Sequence, residues 1–239
     1  SYDYQSAIRV ADTMPQEYVS DYCDLLRMAS LRLSLDYKGA FKIGNEYNIK
    51  CFPIREESRV RHFEYALSLD IKRKKREFAD FVRAITPIVL VVFERILLKQ
   101  GGVNIDDYCM KRGSVREWNA EKLRGTDIEA ALIKKWYNFK YDPVYSVHIL
   151  EIIAAFMPDE LELNSILTSL RSVESKVTNM AAHEVTLITD KMIKDETGMD
   201  SEEIMKTIRK AFVYTDMNVK KSDWDAYDNM NEVIINAIK

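Results

Sequence analysis

Apolar side chains recur every three or four positions along most of this chain, the spacing that lines one face of an α-helix. Tyr4, Ala7, Ile8, Ala11 and Met14 form the first such stripe, with Asp3 placed to cap its start. Beyond Pro15, the stripe Tyr18, Tyr22, Leu25, Leu26, Ala29 and Leu33 predicts a helix buried against a neighbour, and it reads as core rather than as a base-stacking platform. A shorter continuation is expected over 36–43, a loop over 44–53, and a further helix over 59–70. Residues 78–98 predict the longest apolar helix, kinked at Pro87 and ended by Gly101-Gly102. Short helices and connecting loops are expected over 104–125, then helices over 127–137 and 143–156. His148 falls on the apolar face of the last of these and reads as a packed or capping histidine. A long helix is expected over 165–196, stopped by Gly198. Asp200-x-x-Glu203 is a capping-box pattern opening a helix over 201–213, and a last helix begins near Ser222. Strand signals are few and no long period repeats, so the fold class is all-α.

Composition sharpens this picture. Only 7 Gly and 5 Pro occur in 239 residues, a scarcity of turn formers that favours long helices. The length suits two helical units, a bundle over 1–76 followed by a second helical domain over 77–239. A formal charge of −3 gives no global attraction to nucleic acid, but the charge is uneven. The first 76 residues carry 14 Lys and Arg against 11 Asp and Glu, and the rest carry 21 against 27. The excess gathers in Lys72-Arg73-Lys74-Lys75-Arg76, a candidate phosphate patch that reads more simply as a solvated face. Cys23, Cys51 and Cys109 are widely spaced with no C-x-x-C, which speaks against a disulfide framework or a zinc site and fits a reducing cytoplasm. The longest apolar run, 88–93 with extension to Leu98, is too short and too charged to cross a bilayer, so a soluble protein without a membrane partner is expected. No signal peptide is apparent, and the start at Ser1 without a methionine suggests a fragment.

The candidate chemistry lies in Glu174-Ser-Lys-Val-Thr178-Asn179-Met180-Ala181-Ala182-His183. At about 100° per residue, Asn179 and His183 stand about 40° apart and share a helix face. An imidazole titrating near neutrality beside an amide suits general acid or base work. The surrounding run, LRSVESKVTNMAAHEVTLIT, closely resembles the signature helix of HEPN ribonucleases, where an arginine, an asparagine, three variable residues and a histidine follow a glutamate-bearing turn. SYDYQSAIRVAD, FADFVRAITPIVLVVFERIL and ITDKMIKDETGMDSEEIMKTI extend the likeness over most of the chain to the ancillary ribonucleases of type III CRISPR systems, the Csm6 family.

The resemblance implies a helical linker over 1–76 and a HEPN ribonuclease domain over 77–239. It implies degradation of single-stranded RNA in antiviral defence, without metal or cofactor, by a homodimer whose motif helices face each other across a shared cleft. His183 would then transfer protons, Asn179 would hold His183 or the phosphate, and Thr178 would occupy the place of the phosphate-stabilising arginine. The nearest basic residues, Lys176 and Arg171, read as out of register with that place. Control by cyclic oligoadenylate would come from a nucleotide-sensing CARF domain that the family places before this point. Loss of the arginine leaves a second reading, a catalytically silent HEPN dimerisation or RNA-binding module, and a third is an unrelated helical adaptor.

Overall fold

A computed structural model of the chain describes residues 2–15, 20–47, 49–54, 56–113, 115–183 and 187–238, the side chains of 20, 21, 181–183 and 238 lying outside the description. Among these residues the helices run in chain order as α1 (Tyr4–Ala11), α2 (Ser20–Leu33), α3 (Tyr37–Glu46), α4 (Glu57–Lys74), α5 (Phe78–Arg83), α6 (Ile85–Gly101), α7 (Ala120–Leu123), α8 (Asp127–Lys135), α9 (Ser146–Phe156), α10 (Leu161–His183), α11 (Asp190–Thr197), α12 (Ser201–Phe212) and α13 (Ala226–Ile238). A hairpin of β1 (Cys109–Arg112) and β2 (Val115–Trp118) pairs antiparallel, with Cys109 opposite Trp118. The fold is all-α apart from this ribbon. No helix among the described residues is long and apolar enough to cross a membrane.

Several helix ends sit where the sequence marks them. Asp3 accepts the Ser6 amide, and Asp200 and Glu203 close the expected capping box at the start of α12. Gly102 and Gly198 stop α6 and α11 with φ of 65° and 83°, the left-handed region that glycine enters without a Cβ clash.

Other expectations are overturned. The helix over 78–98 is broken, not kinked: α5 ends at Arg83 and α6 starts at Ile85, because Pro87 lacks the amide and crowds the carbonyl four residues back. The single helix over 165–196 is interrupted, since 187–189 are not helical and Thr189 caps a new start by accepting the Met192 amide. Ile188 and Thr189, both β-branched, disfavour helix in the described part of this stretch, and 184–186 lie outside the described residues. The segment 104–125 contains the hairpin, and the helix expected from Ser222 is preceded by a 3₁₀ turn over Lys221–Asp225.

The chain divides into two compact units, Ser1–Glu77 with Val219–Lys239, and Phe78–Asn218. In the first, α2 packs against α1, α3, α4 and α13. At its centre the buried Arg32 forks onto Glu64, with Nε to Oε2 at 3.2 Å and Nη2 to Oε1 at 2.8 Å. The Tyr227 hydroxyl donates to the same carboxylate at 3.2 Å, and the guanidinium lies 4.7 Å from the Tyr227 ring centre. The basic run is solvated only in part: Lys75 and Arg76 are exposed, whereas Lys72, Arg73 and Lys74 are half-buried. Arg73 pairs with Asp70 at 2.8 Å, Lys74 with Asp228 at 2.6 Å and Lys75 with Glu77 at 2.6 Å.

In the second unit α10 is the hub, touching α5, α6, α9, α11 and α12. Leu163, Leu167, Leu170, Val173, Val177 and Met180 are all buried, a stripe at spacings of three and four that fixes which face of α10 meets the core.

His148 is packed and capping, as its place in the sequence suggests. Its Nδ1 accepts the Trp118 indole N–H at 3.0 Å and the Tyr145 amide at 3.3 Å, with Trp136, Phe139 and Tyr145 rings about it. Burial pushes its pKa down to about 4, and protonation would set an N–H against two donors. The folded pKa lies below the unfolded value near 6.5, so the unfolded chain binds more protons between them. The stability this site contributes is complete above about pH 6.5 and is lost as pH falls toward 4. We expect a loss of about 2 kcal/mol across that window, discounted for residual solvent. Urea midpoints of wild type and His148→Gln at pH 7 and 4.5 check this, and an equal drop in both proteins would exclude it.

Candidate active site

Burying the Leu163-to-Met180 stripe turns Asn179 outward and leaves Thr178 at the stripe's edge, about 20° around from Leu167, with both residues exposed. The backbone of α10 reaches His183, one turn beyond Asn179, while the His183 side chain lies outside the described residues. The helix thus presents Asn179 and the Cα of His183 about 40° apart.

Glu174, one turn before Thr178, points away from Asn179, about 140° around the helix. It is buried and accepts the Ser146 hydroxyl at the first turn of α9, with Arg171 Nη1 at 3.5 Å. Burial raises its pKa, opposed by the Ser146 bond and by Arg171. It ties α10 to α9 rather than facing solvent.

Thr178 donates its hydroxyl proton to the Glu174 carbonyl at 2.8 Å, and its Oγ1 lies 3.1 Å from Thr86 Oγ1 near the start of α6. A hydroxyl has one proton, so Thr86 is the donor in that second bond. Neither threonine has a proton left for a phosphate. Position 178, where the sequence likeness leads one to expect arginine, supplies neither charge nor a free donor.

Arg171 and Lys176 are not both out of register with the motif face. At about 100° per residue, Arg171 stands about 20° from Thr178, and Lys176 about 60° from Asn179 and 20° from His183. Axial distance and direction keep Arg171 away, because it lies seven residues back, about 10 Å along the axis, and helical side chains lean toward the N-terminus. Lys176 stands about 160° around the helix from Thr178. Thr86 and Ser146 had no signal in the sequence, being 92 and 28 residues from their partners.

The Cas_Csm6 HEPN domain family matches residues 51–235. The CRISPR system endoribonuclease Csm6 of Mycobacterium tuberculosis is 27% identical over 246 residues, covering 100% of this chain and 52% of that protein. Among solved structures, Enterococcus italicus Csm6 bound to cyclic hexa-2′-fluoro-hexa-dAMP superposes with a TM-score of 0.74 over 99% of this chain and 54% of its own, at 12% identity, a likeness of fold. The chain spans about half the length of these relatives. With more than three quarters of its residues inside the family match, the chain belongs to the Csm6 HEPN domain family, known as CRISPR-associated ribonucleases.

Proposed function

We propose that this chain is the ribonuclease part of a longer protein and cleaves single-stranded RNA in type III CRISPR antiviral defence. The observation that carries the reading is α10, whose buried stripe leaves Asn179 exposed one turn before His183. In the reaction the RNA 2′-oxygen forms a bond to the adjacent phosphorus and the bond from phosphorus to the 5′-oxygen breaks. The products are a 2′,3′-cyclic phosphate and a 5′-hydroxyl. One proton leaves the 2′-oxygen and one reaches the 5′-oxygen, and His183 is the group able to move them near neutral pH. Asn179 orients His183 or the phosphate through its amide, and Thr178 fills the arginine position without its charge. The nucleophile belongs to the RNA, so a metal-activated water is not needed.

Two chains pairing through this unit would bring two such helices to one phosphate, one histidine accepting a proton as the other donates. Control by a cyclic oligoadenylate is assigned to sequence outside this chain. The cyclic hexanucleotide analogue bound by the Enterococcus italicus protein supports a cyclic oligoadenylate as the kind of ligand involved.

The product ends test the chemistry. Cleavage in EDTA at high enzyme concentration is expected to leave cyclic phosphate ends and to stop at a 2′-deoxy substitution, whereas metal-dependent cleavage leaving 5′-phosphates would overturn the mechanism. The state of Thr178 favours one other reading, the silent dimerisation or RNA-binding module, which dimers that bind RNA and never cleave it would support.

A further inference from the structure

We infer that Arg83, at the end of α5, supplies to the scissile phosphate the positive charge that Thr178 does not. The inference rests on the ribonuclease reading above and extends it to a residue outside the motif helix. Both α5 and α6 pack on α10, and the Thr86 to Thr178 contact at 3.1 Å pins their junction beside the motif. Arg83 precedes Thr86 by three residues, so its Cα lies within about 11 Å of the Thr86 Cα even were the chain extended. Ala84 between them is in the right-handed helical region (φ −84°, ψ −5°), which shortens the separation and continues the helical sense across the break. Arg83, Thr86 and Pro87 are all exposed at helical spacing, so Arg83 stands one turn behind Thr86 on the face that meets Thr178.

The guanidinium is free to be recruited. Its ion pair with Asp80 is long, 3.4 Å, with side chains 56% and 60% exposed, a kind of pair worth about 0–1 kcal/mol. A phosphate offers it a bidentate, charge-assisted partner instead. The other basic candidates are less well placed. Arg171, two turns before Thr178, is drawn to Glu174, and Lys176, though it shares the face of Asn179 and His183, lies about 160° around the helix from Thr178 and about 10 Å along the axis before His183. In the transesterification Arg83 forms and breaks no bond. It offsets charge on the phosphorane oxygens while the protons move through histidine.

The experiment measures single-turnover RNA cleavage in EDTA by wild type, Arg83→Ala, Arg83→Lys and Lys176→Ala, each also carrying Thr178→Arg. Removal of Arg83 is expected to slow wild type about 10²-fold at saturating RNA, the scale of one lost electrostatic donor. Lysine should restore part of the rate. The loss should shrink below about tenfold once Thr178→Arg supplies a charge, because the two groups then serve one phosphate and their effects do not add. The slope of log affinity for a 2′-deoxy-substituted RNA against log salt should fall by about 0.7 in Arg83→Ala.

An equal loss in both backgrounds would mean structural damage and overturn the inference, as would an unchanged wild-type rate or a loss confined to Lys176→Ala. If only proteins carrying Thr178→Arg cleave, the ribonuclease reading stands and the role of Arg83 falls. If no version cleaves, both fall.

Discussion

Replacing Thr178 by arginine is expected to speed RNA cleavage by about 10²–10³, and adding His183→Ala is expected to remove about 10²–10⁴ of whatever rate is present. The first figure follows from what occupies the position now. The Thr178 hydroxyl is spent on the Glu174 carbonyl and receives the Thr86 hydroxyl, so it offers a developing phosphorane nothing. An arginine brings a fixed charge and a planar fork matched to phosphate, and charge-assisted bonds are about twice as strong as neutral ones. Thr178 is exposed, so the longer side chain meets solvent rather than core and the fold should tolerate it. Initial rates on a fluorescent single-stranded RNA in EDTA, with dimer formation checked by sedimentation, read both effects. A Thr178→Arg protein that is dimeric and still inert would leave the silent-module reading in place. Cleavage that survives His183→Ala would move the proton-transfer role to another residue.

The outward face of α10 was legible in the sequence because it is the complement of a buried stripe. Once Leu163, Leu167, Leu170, Val173, Val177 and Met180 are recognised as one row, Asn179, at least about 100° around from every one of them, has nowhere to point but out, whereas Thr178 stands about 20° from Leu167 at the edge of the row and meets Thr86. Capping chemistry was legible for the same local reason, as at Asp200 with Glu203 and at His148. The hairpin was not. Along β1 and β2 only Cys109 and Trp118 are buried, and polar Lys111, Arg112 and Arg116 fill the middle, so no alternation of apolar and polar residues marks it. The interruption before α11 was not legible because Gly198 is the strong stop signal in this region, while Ile188 and Thr189 oppose helix only weakly. Thr86 was invisible because the Pro87 break that places it reads as a kink in sequence, and its partner lies on another helix.

The first unit carries the other large effect. Glu64→Ala is expected to cost about 3–5 kcal/mol, because it strands the Arg32 guanidinium in the core without its counter-ion. Arg32 is 2% exposed and Glu64 1%, and both fork contacts are within hydrogen-bond range, so neither group has water to fall back on. The Tyr227 hydroxyl loses its acceptor in the same step, leaving a second buried donor unpaired. The surrounding rings do not compensate: Tyr227 and Phe52 face the guanidinium at 4.7 and 5.2 Å, and such contacts are worth about 2 kcal/mol at most when desolvated. Removing both charges separates the pair's own contribution from the penalty of breaking it. In Arg32→Met with Glu64→Leu the volumes are nearly kept and no charge is stranded, so most of the loss should be recovered. Trp224, buried in this unit against Phe63, reports its unfolding by fluorescence in urea. Single and double variants that unfold together, far below wild type, would show that Arg32 and Glu64 shape this core by their contacts rather than by charge balance. A single variant within about 1 kcal/mol of wild type would show that water reaches the stranded guanidinium.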